Sequence, residues 1–251
     1  MKPRDRQAKI AAIIGQEGQA SVDALAARFD VSAETVRRDL TQLAESGLVQ
    51  KVHGGAKRPR LHAEASFLER MSEDADAKQE IGRKLRALLG PGDTVFIDTG
   101  STTLIGAAAI ADIGRLTVVT NSAEIARTMA QGAPDNAIYL IGGKYGADNS
   151  ETLGPLAIAQ IATFQADSAI LTVAAVDAEA GIMDADIEEA HVARAMIANS
   201  QQVIIVASAT KLGRRAAFRV CDLGSVDILV SDRPPPVELA AALQSAGVEM
   251  R

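Results

Sequence analysis

Two adjacent arginines, Arg37 and Arg38, lie on a segment with helical periodicity and could contact DNA. The apolar residues of this segment recur at helical spacing and would face a small core: Val36, Leu40, Leu43 and Ala44. This packing turns Thr35 and Gln42 outward together with the arginines. Guanidinium groups on an exposed helix face can contact phosphates or the edges of guanine bases. Residue types and spacing therefore predict a DNA-recognition helix.

The flanking residues predict where this helix begins and what precedes it. Ser32 is a natural N-cap, and Gly47 stands where a helix ends in a left-handed residue. Two shorter helices should come first, the second of them capped by Ser21 and followed by a tight turn at residues 30–31. Their apolar residues are Ile10, Ile13 and Ile14 in the first, and Val22, Leu25, Ala26 and Phe29 in the second. Three such helices form a helix-turn-helix unit.

A wing is expected after the recognition helix, because residues 48–52 alternate like a strand. The residues that follow have the composition of a mobile basic loop: Gly54, Gly55, Lys57, Arg58 and Arg60. Such a wing would follow the phosphate backbone of the duplex. The candidate DNA contacts of helix and wing are Ser32, Thr35, Arg37, Arg38, Gln42, Lys51, His53 and Lys57.

The alternative is a three-helix segment whose arginines are merely solvated, and the charge distribution argues against it. Residues 1–60 hold eleven Lys and Arg against seven Asp and Glu, a net charge of +4. The remainder holds fifteen against twenty-five, a net charge of −10, and the two give the total of −6. Only the first segment is therefore suited to phosphate.

The length of 251 residues, with 47% hydrophobic content, favours two domains. We expect a DNA-binding domain over 1–57, a linker over 58–76 and a second domain over 77–251. The linker assignment rests on Pro59, alternating charges and few large apolar residues.

Composition excludes several kinds of site. No apolar run approaches the ~18 residues of a membrane span, and the first residues lead into a polar helix instead of a signal peptide, so we expect a cytoplasmic protein. Cys221 is the only cysteine, which excludes an internal disulfide and a cysteine zinc cluster. The three histidines, His53, His62 and His191, lack metal-ligand spacing. No metal and no cofactor are expected.

The second part alternates between short apolar runs and Ala-rich helical segments. Continuous β-branched runs predict strands covered on both faces, at residues 94–98, 116–120, 137–141, 168–172, 202–207 and 226–231. Helices are expected at residues 78–89, 104–111, 122–131, 155–163, 187–199 and 237–245. The pattern predicts a mainly parallel α/β sheet.

Ligands of such sheets bind at the carboxyl ends of the strands. Residues 98–103 follow the first strand, and their glycine, hydroxyls and helix N-terminus suit a phosphate. Polar residues also follow other strands, and Lys211 adds a positive charge. Asp177 and Glu188 could bind sugar hydroxyls. The candidate effector contacts are Asp98, Gly100, Ser101, Thr102, Thr103, Thr120, Asn121, Gly142, Gly143, Asp177, Glu188 and Lys211.

Each of these loops taken alone could be an ordinary helix cap. For Glu188 and its neighbour Glu189, capping of the helix that follows is an equally good interpretation. The recurrence of polar loops at corresponding strand ends is the stronger argument, because it predicts one shared pocket.

The chain resembles the DeoR family of bacterial transcriptional regulators over nearly its whole length. The run from Val31 to Ala56 is similar to that family's DNA-binding signature, and residues 98–103, 120–122 and 210–213 are similar to its sensor domain. The resemblance implies repression of a carbohydrate-catabolic operon, with a phosphorylated sugar or related phosphate ester as inducer. Operator DNA is then the partner. One recognition helix reads few bases, so a homodimer or homotetramer is expected.

The family's sensor domain is similar in turn to ribose-5-phosphate isomerase, which supplies an alternative, an isomerase-like enzyme. Such an enzyme would need a carboxylate base, for which Glu188 and Asp98 are candidates. The isomerase has a lysine and a glycine run after the position that matches Gly181, whereas this chain has residues 182–187 without either. A pocket that lacks this lysine suits binding better than turnover, so no catalytic residue is expected. A structural DNA binder would need no pocket at all.

The chain departs from the family's usual pattern in three places. Gly100 and Ser101 stand where the family has Gly-Thr, Ser208 stands where it has aspartate, and Ala174 and Ala175 stand where it tends to have glycine. The hydroxyl exchange should preserve phosphate binding. The lost carboxylate and the added methyl groups predict an unusual sugar phosphate as effector.

Overall fold

The chain folds as two units in a computed structural model, Met1–Ala63 and Glu64–Arg251. The structure describes residues 1–45, 48–58, 61 and 65–251. The predicted helix end at Gly47, the basic residue Arg60 and His62 lie outside the described residues. The division between the units falls within the segment predicted as a linker, 58–76.

Within the described residues, the first unit has three helices and three short strands: α1 (Pro3–Glu17), β1 (Gln19–Ser21), α2 (Val22–Phe29), α3 (Ala33–Glu45), β2 (Gln50–Val52) and β3 (Gly55–Lys57). The hydroxyl of Ser21 accepts from the N–H of Ala24 at 3.1 Å, and that of Ser32 accepts from the N–H of Thr35 at 3.2 Å. Both predicted N-caps are confirmed.

The basic loop predicted after the wing strand is partly wrong, because β3 pairs antiparallel with both β1 and β2. A Cβ at Gly55 would lie 2.3 Å from the carbonyl oxygen of Ala20, so only glycine lets β3 approach β1. The chain turns between β2 and β3 at His53 and Gly54, and Gly54 has φ +75. The wing is therefore a tight two-residue hairpin.

An ion pair holds α1 against α3 beside the apolar core of this unit. The guanidinium of Arg6 donates to both carboxylate oxygens of Asp39, at 2.6 and 3.2 Å, and both residues are buried. Gln7 donates to the same carboxylate at 3.0 Å. Asp39 directly follows Arg38, so the pair fixes the rotation of α3 that turns the two arginines outward.

The second unit alternates strands and helices in the order α4 (Phe67–Ser72), α5 (Ala75–Arg86), β4 (Thr94–Ile97), α6 (Ser101–Ile110), β5 (Thr117–Thr120), α7 (Ala123–Ala130), β6 (Ala137–Leu140), β7 (Lys144–Gly146), β8 (Glu151–Leu153), α8 (Pro155–Ile161), β9 (Ala166–Thr172), β10 (Ala175–Asp177), β11 (Gly181–Asp184), α9 (Ile187–Ala198), β12 (Ser200–Val206), β13 (Phe218–Cys221), β14 (Ile228–Val230), α10 (Val237–Ser245) and β15 (Glu249–Met250).

Seven of these strands form one parallel sheet in the order β15-β14-β12-β9-β4-β5-β6. The six predicted strands and the parallel arrangement are confirmed. Val95 and Ile97 of β4 pack into one apolar core and Phe96 into the other, on opposite faces of the sheet. This two-sided burial explains why the strand is a continuous apolar run.

Two smaller antiparallel sheets, β7-β8 and β10-β11-β13, were not expected from the sequence. Both follow strands of the central sheet. Among the described residues, no helix is long and apolar enough to cross a membrane.

The ion pair of the first unit gives a prediction for its stability. Arg6→Met leaves the buried carboxylate of Asp39 without its cation, which should lower the free energy of unfolding of the first unit by about 3 kcal/mol. Urea unfolding of the full chain measures this. Arg28→Met is the matched control, because the pair of Arg28 with Glu17 is exposed and should contribute under about 1 kcal/mol. Equal losses in the two variants would contradict the assignment.

Candidate functional site

A polar pocket lies in the second unit where β4 and β9 end side by side. These two strands are neighbours in the sheet. The strands that follow β4 in the chain, β5 and β6, lie on one side of the pair, whereas β12 and β14, which follow β9, lie on the other side. The strand order therefore reverses between β4 and β9. Ligands of α/β sheets bind at such reversals. The pocket is narrow, with about 20 Å³ that the centre of a water molecule can reach, and is lined by Arg70, Asp98, Thr99, Asn121, Glu151, Thr172, Val173, Ala174, Asp184, Glu189, Val192 and Lys211.

The side chain of Asp98 joins the ends of the two strands. The backbone N–H of Thr172 donates to both of its carboxylate oxygens, at 3.0 Å each. A Cβ at Gly100 would lie 2.1 Å from Cγ2 of Thr172, so glycine permits the close approach of the loop after β4 to the end of β9. Burial raises the pKa of Asp98 well above its usual range, and the nearby charges of Asp184 and Glu151 act in the same direction.

The N-terminus of α6 follows this loop, as predicted for a phosphate site. Its three hydroxyl residues, Ser101, Thr102 and Thr103, are buried, and their side chains are not among those that line the pocket. The hydroxyl of Thr103 donates to the carbonyl of Gly100 at 3.1 Å. A ligand at this helix end would therefore meet backbone amides first.

Two cationic side chains, Lys211 and Arg70, line the pocket. Lys211 donates to the carbonyl of Val173 at 2.6 Å. Arg70 comes from α4, inside the segment predicted as a linker, and its guanidinium donates to Asn149. The sequence analysis missed this helix, although Ser66 and Glu69 form a capping box, a pattern that signals a helix start.

Carboxylates form another side of the pocket. Glu151, at the start of β8, and Glu189, in the first turn of α9, were not proposed as effector contacts. The amide Nδ2 of Asn149 donates to Oε1 of both, at 3.0 and 2.8 Å. Burial raises the pKa of Glu151. By contrast Glu188, which was proposed, accepts from Lys144 at 2.6 Å and does not line the pocket.

Several other proposed contacts also lie away from the pocket lining. Asp177 accepts from the N–H of Ala180 at 2.8 Å and pairs with Arg215 at 3.1 Å. The N–H of Gly142 donates to Gln160 at 3.0 Å. Thr120 is the last residue of β5 and Gly143 lies in the loop after β6, and neither residue lines the pocket. Asn121, next to Thr120, does line the pocket.

In the first unit, the proposed DNA contacts share one face of α3 and the wing. Arg37, Arg38 and Gln42 are exposed, and the hydroxyls of Ser32 and Thr35 lie 2.9 Å apart at the helix start. Lys51 donates to Thr41 of α3 at 3.0 Å, which ties the wing to the recognition helix. His53 is exposed at the hairpin tip and Lys57 is half-buried.

A winged helix-turn-helix joined to a parallel α/β unit with a polar pocket is the architecture of ligand-responsive transcriptional regulators. The DeoR-like helix-turn-helix domain matches residues 6–60, and the DeoR C-terminal sensor domain matches residues 73–233. The chain therefore belongs to the DeoR family.

Curated relatives are similar over nearly their whole length. The chain is 31% identical to the glycerol-3-phosphate regulon repressor of Escherichia coli K12 over 250 residues, which are 100% of this chain and 99% of that one. It is 31% identical to the transcriptional repressor CsqR of the same organism, over 98% of this chain and 94% of the relative. As a member of this family, the protein is a transcriptional regulator and not an enzyme, and the isomerase alternative is set aside.

One solved structure is similar in fold with a TM-score above 0.5. A tetrameric eIF2B beta–delta complex from Chaetomium thermophilum matches with a TM-score of 0.51 and 13% identity, over 96% of this chain and 87% of that one. Ribose-5-phosphate isomerase from Methanocaldococcus jannaschii matches with a TM-score of 0.41 and 11% identity, over 56% of this chain and 55% of that one.

Among the described residues, no cluster of His, Cys, Asp and Glu could hold a metal ion.

Two carboxylates should give opposite pH dependences of stability. The pKa of Asp98 is raised by burial, so ionisation above its unfolded pKa costs stability as the pH rises toward the folded pKa. Burial also acts to raise the pKa of Asp177, but the N–H of Ala180 and the charge of Arg215 outweigh it and lower the pKa. The stability that Asp177 contributes is therefore lost as the pH falls through its folded pKa.

Urea unfolding of Asp98→Asn and Asp177→Asn between about pH 3 and pH 8 checks this. The stability of Asp98→Asn relative to the unaltered protein should rise with pH, whereas that of Asp177→Asn should fall. Parallel trends in the two variants would show that the two environments do not differ as described.

Proposed function

We propose that the protein represses a carbohydrate-catabolic operon and that a phosphorylated sugar or related phosphate ester releases it from its operator. The observation that carries the proposal is the pocket at the reversal of strand order, which Arg70 and Lys211 line with positive charge. The relatives named as repressors of a glycerol-3-phosphate regulon agree with an effector of this class.

The DNA contacts follow from the exposed face of α3. Arg37 and Arg38 contact guanine edges or phosphates, Ser32 and Thr35 contact the duplex at the helix start, and Gln42 lies further along the same face. Lys51, His53 and Lys57 follow the backbone. Because a single α3 reads few bases, two or four copies bind half-sites spaced by about one helical turn or its multiples. The protein acts in the cytoplasm, where its operator lies.

The effector's anion binds between the amides at the start of α6, Lys211 and Arg70, and no cofactor takes part. Asp98, Gly100, Ser101, Thr102 and Thr103 build that end of the pocket. Thr120, Gly142, Gly143, Asp177 and Glu188 lie away from the lining, so their contribution is to the loops that support it.

Occupancy of the pocket reaches the DNA-binding unit through α4, which follows that unit in the chain. Lys78 of α5 donates to the carbonyls of Arg70 and Glu73, the latter at 2.7 Å, and so holds the end of α4. Thr210 donates to Asp74 at 2.8 Å. A ligand shifts an equilibrium between two conformations only if its affinities for them differ. Because Arg70 lies on α4, its contact with the effector depends on where this helix lies, and the affinities of the two conformations then differ.

A thermal-shift screen against sugar phosphates and their unphosphorylated parents tests the effector class. A ligand at 100 times its dissociation constant should add about 2.7 kcal/mol to the free energy of unfolding. A phosphorylated compound should stabilise the protein, and Lys211→Gln should reduce that shift. Stabilisation by the unphosphorylated parents alone would overturn the phosphate assignment.

An operator selected from random duplexes with the purified protein tests the recognition helix. Arg37→Ala or Arg38→Ala should cost about 1 to 3 kcal/mol at a single operator position if the arginine reads a base, whereas Lys51→Ala should weaken all sequences alike and lower the salt dependence. Arg127→Ala, on the surface of the second unit, is the control. Unchanged affinity and specificity in both helix variants would rule out α3 as the reading element.

A further inference from the structure

The two outer strands of the central sheet, β15 and β6, differ in how they are protected. β15 consists of Glu249 and Met250, and Arg251 stands beside it, so charges flank this edge. At the other edge, residues 136–143 contain no charged residue and no proline, and β6 pairs with β5 in regular register. Edge strands that remain single usually carry charges, proline or a bulge, because their free N–H and C=O groups attract another strand. β6 has none of these features.

The free backbone groups of β6 belong to alternate residues. The N–H groups of Ala137 and Ile141 donate toward β5, to carbonyl oxygens 2.8 Å away. Because the backbone groups of successive residues point to opposite sides of a strand, those of Ile138 and Leu140 point away from the sheet. Within the described residues, β5 is the only strand that pairs with β6. The edge therefore offers two donors and two acceptors to a further strand.

The side chains of this strand are apolar and exposed. Tyr139 is 49% exposed and Leu140 is 52% exposed. The ring of Tyr139 lies 5.2 Å from that of Phe164, which follows α8. The chain has only two tyrosines and no tryptophan, and aromatic side chains are enriched at protein interfaces. An exposed aromatic pair beside an unpaired strand indicates a surface that another chain covers.

The geometry of the edge suits a second copy of the same chain. A two-fold axis pairs two β6 strands antiparallel, and an axis beside Tyr139 sets Ile138 of one copy opposite Leu140 of the other. Opposite residues of this kind exchange two N–H···O bonds, so the outward groups of both strands are all satisfied. The two Tyr139 side chains then lie opposite each other as a cross-strand aromatic pair.

The absence of charge makes this strand compatible with itself. Like charges directly opposite each other destabilise a pair of strands, and residues 136–143 bring none to the axis. The apolar side chains of Ile138 and Leu140 meet across the same axis. A second copy is also the occupant that the reading of two half-sites calls for.

We propose that β6 pairs with β6 of a second copy and joins the two central sheets into one. The need for a second copy rests on the proposed function, whereas the choice of surface rests on β6 alone. Tyr139 and Leu140 are then the side chains at the centre of the interface.

Sedimentation velocity of the full-length protein without DNA measures the association. The unaltered protein should be a dimer or tetramer at micromolar concentration. Leu140→Lys places a charge opposite its own copy's edge and should weaken the association at least about tenfold, which lowers the mass. Val237→Lys, at the exposed start of α10, is the matched control and should leave the mass unchanged. Circular dichroism confirms that both variants are folded.

Cross-linking tests the position of the axis. In the proposed register the Cα atoms of the two residues 139 lie about 4.5 Å apart, within the range of disulfides. Tyr139→Cys should therefore give a covalent dimer on a denaturing gel when copper(II)–phenanthroline is added as the oxidant of the two thiols. The unaltered protein, whose single Cys221 is half-buried, and Val237→Cys are the controls.

The outcomes separate this inference from the proposed function. A monomeric unaltered protein, an unchanged mass in folded Leu140→Lys or no excess cross-link in Tyr139→Cys over both controls would each overturn the proposed surface. If Leu140→Lys does not fold, the cross-link decides alone. Specific operator binding by the unaltered protein together with a negative result at β6 would leave the proposed function standing. A dimer that forms through β6 but selects no operator would support the surface and overturn the proposed function.

Discussion

The pocket depends on the close approach of the loop after β4 to the end of β9. Adjacent parallel strands whose chain connections diverge leave a gap at their carboxyl ends, and here the carboxylate of Asp98 spans it by accepting from the N–H of Thr172. Gly100 allows this contact because any side chain would collide with Thr172. The start of α6, the Asn121 loop and Lys211 all converge on this gap, since each follows a strand of the same sheet.

Desolvation is the cost of this arrangement. Asp98 and Glu151 are buried, and burial raises the pKa of both because the charged carboxylate loses its hydration. A sequence selected for stability alone would replace such groups by apolar side chains of similar volume. Their concentration in one pocket, together with unpaired buried hydroxyls, is typical of a binding site that trades stability for recognition.

The elements that the sequence predicted are those whose secondary structure is determined by residues within the element itself. The central strands are continuous apolar runs, and α2 and α3 are amphipathic with serine caps, so periodicity and caps sufficed. The pocket's charged residues were harder to find, because Arg70 lies in a helix of six residues and Glu151 in a strand of three. Elements this short carry no periodic pattern and form only through packing on the rest of the unit. Glu188 and Glu189 show the same limit, since only the geometry of α9 distinguishes the one that lines the pocket.

Electrostatics at the end of α4 supplies a physical reason for a response to an anion. Burial lowers the pKa of Lys78, and the nearby charge of Lys211 lowers it further, so two cations repel each other beside the carbonyls that hold α4. The acceptor carbonyls and Asp74 offset this repulsion only in part. An anion bound at Lys211 reduces the repulsion, and it does so most in the arrangement that keeps Lys78 and α4 docked. If an anionic effector binds as proposed above, relief of this repulsion would give it a higher affinity for the docked arrangement, and such a differential affinity is what a ligand needs to move the chain segment that leads to the DNA-binding unit.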